Sequence, residues 1–184
     1  MWYPIPAGKR LLVFLPMLAL LLVSSWLMRG PLQTSAAPAG IVSFELAGSE
    51  TRARAILAAW DAQARSFADY SLRLDFLFLV AYSTTIGLAC LWADSVLRAR
   101  GLPFLIGLPL AWAMWLAALF DALENIALLT MLHGHPQSPW PQIARWSAIP
   151  KFTLVLIGLA YTLLGALVWL ATRAFGAPKA ESQR

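Results

Sequence analysis

Two carboxylates and an amide lie inside one of the most apolar stretches of this 184-residue chain. Asp121, Glu124 and Asn125 are three and four residues apart, so their side chains share one face if the stretch is helical. In apolar surroundings two neighbouring carboxylates do not both stay ionised without a partner, so at least one is expected to hold a proton or a cation. The pair also has the composition of a general acid and base, or of metal ligands. These residues are the first candidates for a functional site.

Further polar residues stand in or at the ends of neighbouring apolar segments. Lys151 follows Pro150 at the start of one segment, Asp75 opens another, and Glu45 lies within the short apolar stretch 41–47. If the segments pack as a compact bundle, most ionisable residues other than the basic residues at the cytoplasmic ends of the spans lie close together in one zone of the bundle. The predicted ligand-binding set is Glu45, Asp75, Tyr82, Asp121, Glu124, Asn125 and Lys151.

A structural interpretation of the same residues stays open beside the functional one. Asp121 and Glu124 can pair with Lys151 and Arg145 and so fix the register of two helices without any chemistry. A lysine at the end of a membrane span commonly extends to the interface, and Asp75 can cap a helix. Ionisable residues within a membrane span nevertheless mark ion, proton or ligand sites by default.

His133 and His135 are weak candidates for metal ligands. They flank a glycine in a proline-rich stretch, where a solvated turn is the alternative interpretation. The apolar segments contain no histidine, which argues against histidine-ligated haem. The sequence contains no phosphate-binding loop, and it identifies no cofactor and no catalytic residue.

The composition places the chain among membrane proteins. Apolar residues make up 60% of the sequence and charged residues 12%, whereas a soluble domain has about 25% charged residues. The net charge is +5, but the basic residues are scattered at the ends of apolar blocks and form no stripe, so a nucleic-acid partner is not predicted. The single cysteine, Cys90, excludes an internal disulfide.

Four segments are long enough to cross a bilayer, which requires about 20 apolar residues. Backbone groups in lipid must be hydrogen-bonded internally, so these segments are predicted to be helices. The predicted fold is an all-α membrane protein: an antiparallel bundle of four transmembrane helices with an amphipathic outer, periplasmic helix. The predicted spans cover residues 11–28, 74–97, 103–132 and 152–172, with an outer helical segment at 41–73, one domain over 1–176 and a disordered tail at 177–184.

The first span can also be interpreted as a signal peptide. Lys9 and Arg10 precede it, and residues 35–37 resemble a cleavage site. Its apolar run is longer than the usual 7–15 residues of a signal peptide, so a retained anchor is predicted. Cleavage stays open as the alternative.

The distribution of Lys and Arg predicts the orientation of the bundle. Basic residues precede span one, lie in the short turn between spans two and three, and follow span four, so both termini are predicted to be cytoplasmic. The long outer segment 29–73 has five basic residues, balanced by four acidic ones. Asp121 and Glu124 then lie in the outer half of the bilayer, roughly 5–12 Å past its midplane. The predicted location is the inner membrane of a bacterium.

Four stretches together resemble a group of uncharacterised bacterial four-helix integral membrane proteins. They are residues 37–47, 74–83, 121–125 and 148–153, and each contains a member of the predicted ligand-binding set. The resemblance covers most of the chain from Ala37 onward and implies the same architecture. No activity is established for that group, so the resemblance implies no catalytic residue.

The function that the sequence favours is binding of a cation, a proton or a polar lipid headgroup in an acidic pocket of the outer leaflet. One alternative is an accessory or structural subunit that packs its tryptophan-rich surface against a larger membrane complex or against further copies of the chain. A second is an intramembrane enzyme that uses Asp121 and Glu124 as acid and base. The lipid bilayer is the partner that the composition itself predicts.

Overall fold

Six α-helices form the framework of the part of the chain that the structure describes. A computed structural model of the protein describes residues 3–102 and 106–175. The described residues contain no β-strand, which confirms the predicted all-helical class. The predicted tail at 177–184 and the predicted start of the third span at residue 103 lie outside the described residues. The helices are α1 (Arg10–Leu27), α2 (Ile41–Glu45), α3 (Glu50–Ala59), α4 (Ala62–Arg98), α5 (Gly107–Leu132) and α6 (Trp140–Phe175), and a 3-10 turn (Ala7–Lys9) precedes α1.

Helices α1, α4, α5 and α6 are long and apolar enough to cross a membrane, so the prediction of four such helices is confirmed. Helix α4 has 37 residues and α6 has 36, which correspond to about 54–56 Å of helix. The hydrocarbon core of a bilayer is only about 30 Å thick. Both helices are therefore long enough to continue beyond the membrane.

The predicted outer helix is interrupted at Trp60, which has an extended backbone (ψ 125°) between α3 and α4. Asp61 starts the new helix because its side chain accepts a hydrogen bond from the backbone N–H of Ala64 at 2.8 Å. The Arg65 guanidinium donates to the carbonyls of Leu57 and Trp60 at the end of α3. The chain thus caps both helix ends at this corner, and Asp61 and Arg65 do not pair with each other.

Close contact between helices depends on small residues. A Cβ atom added to Gly165 of α6 would lie 2.5 Å from the Cβ of Ala93 on α4. A Cβ added to Gly158 would lie 2.9 Å from the sulfur of Met114 on α5. Small residues at these positions let the backbones approach closely, as is common between membrane helices.

Helix α1 is much less enclosed than its neighbours. All of its residues are described, and only Ser24 among them is buried. It packs along α4, where Val13 and Phe14 contact the cluster around Leu88 and Leu91. This peripheral position leaves space between α1 and the pair α4 and α6.

The segment between α1 and α4 folds over the ends of α5 and α6. The Trp60 indole N–H donates to the carbonyl of Leu32 at 2.9 Å, and its ring packs edge-on against Phe44. Phe44 and Leu128 of α5 are fully buried members of the same apolar cluster. The packing of Phe44 fixes α2 against the bundle, and α2 ends at Glu45.

Candidate functional site

Lys151 is surrounded by three carboxylates in the interior of the bundle. Its Nζ atom lies 2.8 Å from Glu124 Oε2, 3.0 Å from Asp121 Oδ1 and 3.8 Å from Glu45 Oε2. The four residues are at most 9% exposed. One ammonium group therefore joins α2, α5 and α6 in a largely buried site.

A fourth carboxylate, Asp75 on α4, lies next to these residues. The Asn125 side-chain amide donates to Asp75 Oδ2 at 2.6 Å, and Asn125 is on the same helix as Asp121 and Glu124. We refer to Glu45, Asp75, Asp121, Glu124, Asn125 and Lys151 as the acidic cluster. The structure thus brings together six of the seven residues of the predicted ligand-binding set.

The acidic cluster has an excess of negative groups, since four carboxylates face one ammonium. Formal ionisation of all five groups would leave three uncompensated negative charges in an apolar interior. Burying a charge without a partner is expensive, so the excess carboxylates must take up protons or a cationic group. The cluster can therefore accept hydrogen bonds or positive charge from a ligand.

A glycine turn brings Glu45 into the cluster. Gly48 follows α2 with φ +68°, a left-handed conformation that favours glycine. A Cβ atom at Gly48 would lie 2.6 Å from Arg145 Cδ, so this turn packs directly on α6. Burial raises the pKa of Glu45 above its ordinary value, and the nearby Lys151 ammonium opposes that rise.

A cavity of about 540 Å³ opens next to the acidic cluster. This volume is within the usual range of about 300–1,000 Å³ for ligand pockets. Glu45, Asp75, Asp121 and Lys151 line its polar end. Away from the cluster the walls are mainly apolar. They include Phe14, Leu18 and Leu21 from α1, and Phe152, Val155 and Leu159 from α6.

Three side chains with hydroxyl groups also line this cavity, and one of them is Thr162 on α6. Tyr82 and Thr85 are on α4 and are buried. Neither hydroxyl makes a standard hydrogen bond to another group in the described part of the chain. Tyr82 was among the predicted ligand-binding residues, whereas Thr85 was not. Thr85 is available to a polar group bound in the cavity, whereas the Tyr82 hydroxyl lies close to the Asp121 carboxylate.

No family model, curated protein or solved structure matches the chain. The assignment of a function depends on the geometry of the site.

Several other predicted participants lie elsewhere. His133 Nε2 is 2.8 Å from Asp69 Oδ1, and Arg73 pairs with the same carboxylate at 2.7 Å. His135 is exposed. Arg145 packs against the Gly48 turn and forms no ion pair with any described residue. Across residues 3–102 and 106–175, no three His, Cys, Asp or Glu side chains are arranged to hold a metal ion.

The sequence analysis missed another buried carboxylate, Asp94 on α4, which is 7% exposed. It accepts hydrogen bonds from Arg98 Nε at 2.6 Å, from the Tyr161 hydroxyl at 3.0 Å and from the Gly107 backbone N–H at 3.2 Å. These bonds join α4 to the start of α5 and to α6. The i,i+4 spacing of Asp94 and Arg98 is the only sign of this site in the sequence, and the same spacing is common on exposed helix faces.

Proposed function

We propose that the chain is a bacterial inner-membrane protein whose spanning helices form an antiparallel bundle with both termini in the cytoplasm. The pairing of side chains supports this arrangement. Asp94, late in α4, meets Gly107 at the start of α5, and Asp75, earlier in α4, meets Asn125 late in α5. The described basic residues at the proposed cytoplasmic end are Lys9, Arg10, Arg98, Arg100 and Arg173. The acidic cluster then lies in the outer leaflet.

We further propose that the protein binds an amphiphile whose headgroup carries an ammonium or other hydrogen-bond donors. The observation behind this proposal is the excess of carboxylates at one end of an otherwise apolar cavity between membrane helices. Carboxylates accept hydrogen bonds from such a headgroup, and Thr85 offers a further hydroxyl. The apolar walls suit a hydrocarbon chain, and one wall is the weakly enclosed helix α1.

A lipid headgroup suits the cluster better than a bound metal ion does. The Lys151 ammonium already occupies the centre of the site, within 3.0 Å of both Asp121 and Glu124. Asp75 makes no ion pair with Lys151, so it is the carboxylate most available to a ligand. A small cation or a proton can still bind there, and both are separate outcomes of the test.

The test compares two lipids on the full-length protein in mild detergent by native mass spectrometry. Phosphatidylethanolamine has an ammonium with three N–H donors, whereas phosphatidylcholine with the same acyl chains has none. Preferential retention of phosphatidylethanolamine by about tenfold is expected, since a hydrogen bond to a charged group contributes about 1.5–3 kcal/mol. Asp75→Asn should remove the preference without depriving Lys151 of a partner. Asp69→Asn is the matched control, because Asp69 is on the same helix but does not line the cavity.

Three results would contradict this proposal. Equal retention of the two lipids would mean that no headgroup is recognised. A sodium or potassium adduct that Asp75→Asn abolishes, without lipid preference, would make the site a cation site. A stoichiometric protein partner in place of any lipid adduct would support the accessory-subunit alternative, in which the acidic cluster is structural.

A further inference from the structure

A second cavity, of about 660 Å³, lies between the start of α1 and the C-terminal half of α4. Its walls are mostly apolar, but one basic side chain lines it. The residues that characterise it are Arg10, Leu11, Leu88, Leu91, Trp92 and Ser95. The two cavities share Phe14, Ala89 and Thr162, so they adjoin along α1 and α4. The acidic cluster lines only the first of them.

Arg10 has no acidic partner within the described part of the chain. Its Nε atom reaches only the backbone carbonyl of Ile5, at a long 3.4 Å. Asp94 is the buried carboxylate nearest to this end of α4, and it is already bound by Arg98, Tyr161 and Gly107. The guanidinium of Arg10 is therefore left with hydrogen-bond donors that can bind an external anion.

A second basic side chain, Arg173, lies near this cavity through a pair of tryptophan rings. The ring of Trp92 packs edge-on against Trp169, with ring centroids 6.4 Å apart. The guanidinium of Arg173 stacks on the Trp169 ring, 4.4 Å from its centroid. Tryptophan rings favour the headgroup level of a bilayer, and basic side chains there attract anionic lipids.

We propose that this second cavity binds an anionic phospholipid, with its phosphate on Arg10 and an acyl chain between α1 and α4. The planar guanidinium matches a phosphate through two parallel hydrogen bonds. The leucine-lined walls suit a hydrocarbon chain better than a purely polar anion. The two cavities share part of their walls, but the charged residue of this site differs from those of the acidic cluster and is of opposite sign to its carboxylates.

The test uses native mass spectrometry of the full-length protein with phosphatidylglycerol and phosphatidylcholine of the same acyl chains. Wild type should retain phosphatidylglycerol preferentially, and Arg10→Gln should reduce that retention about tenfold, as expected for the loss of one charge-assisted contact. Lys9→Gln is the matched control, since Lys9 is adjacent, exposed and carries the same charge but does not line the cavity. Asp75→Asn should leave phosphatidylglycerol binding unchanged, which separates this site from the acidic cluster.

A second measurement on the wild-type protein does not depend on how Arg10→Gln folds. Phosphatidylglycerol brominated on its acyl chains should quench the fluorescence of Trp92 more than brominated phosphatidylcholine does. The contribution of Trp92 is obtained by difference from Trp92→Phe. Equal quenching by the two lipids would overturn the proposal, as would equal retention of the two lipids. Equal losses in Arg10→Gln and Lys9→Gln would also overturn it, because they would indicate diffuse attraction to the basic end of the bundle.

Discussion

Replacement of Lys151 by methionine should destabilise the protein more than any other single loss of a charge. Methionine is similar in length and volume, so the change removes the ammonium with little loss of packing. It leaves Glu45, Asp121 and Glu124 buried without the positive charge that now contacts all three. Loss of one partner from a buried ion pair costs about 3–5 kcal/mol, and we expect a decrease of that size in the free energy of unfolding at neutral pH.

The assay is unfolding by sodium dodecyl sulfate from mild-detergent micelles, followed by circular dichroism. The control is Arg54→Met, since Arg54 pairs with Glu50 at 2.8 Å on an exposed surface, where the side chains are 57% and 44% accessible. Exposed pairs contribute about 0–1 kcal/mol. The double variant Lys151→Met with Glu124→Gln should have a higher free energy of unfolding than the sum of the single changes predicts. It removes one of the carboxylates that the loss of Lys151 leaves without a partner. Equal effects of Lys151→Met and Arg54→Met, or strictly additive single changes, would refute the buried network.

Three further predictions use the same unfolding assay. Tyr161→Phe should cost about 1.5 kcal/mol, because Asp94 loses one hydrogen bond but keeps two other donors, and an unchanged stability would contradict this role. Gly165→Ala should cost about 1–3 kcal/mol because α4 and α6 must separate, whereas Gly8→Ala, which has open space around it, should stay within about 0.5 kcal/mol of wild type. The raised pKa of Glu45 means that the folded state holds its proton more tightly, so its contribution to stability is present below the ordinary value of 4.5 and is lost as the pH rises through the raised pKa. Glu45→Gln should flatten that decline, and an identical pH profile in the variant would show that another group causes it.

The helical class and the number of long apolar helices could be predicted because both depend on local properties of the chain. Any segment of about 20 apolar residues must form its own backbone hydrogen bonds in lipid, whatever its neighbours are. The shared face of Asp121, Glu124 and Asn125 has the same local origin, since it follows from 3.6 residues per helical turn. These inferences need no knowledge of tertiary packing.

The break at Trp60 shows where local patterns were insufficient. Helical periodicity continues through this position, and the charges at Asp61 and Arg65 have the spacing of an i,i+4 pair. In the structure both residues cap helix ends instead. The burial of Trp60, with its bond to Leu32, makes the corner favourable, and that contact spans 28 residues of sequence.

By itself the sequence determined an all-helical chain with four helices long enough to cross a membrane, and it identified the polar residues that a compact bundle would bring together. Only the tertiary structure decided that Lys151 lies at the centre of three carboxylates, that Asp94 joins three helices, and that α1 packs loosely enough to leave two cavities. The physical reason is the range of the interactions. Helix formation is determined within a few residues of sequence, whereas ion pairs and cavities depend on distances between side chains that are far apart along the chain.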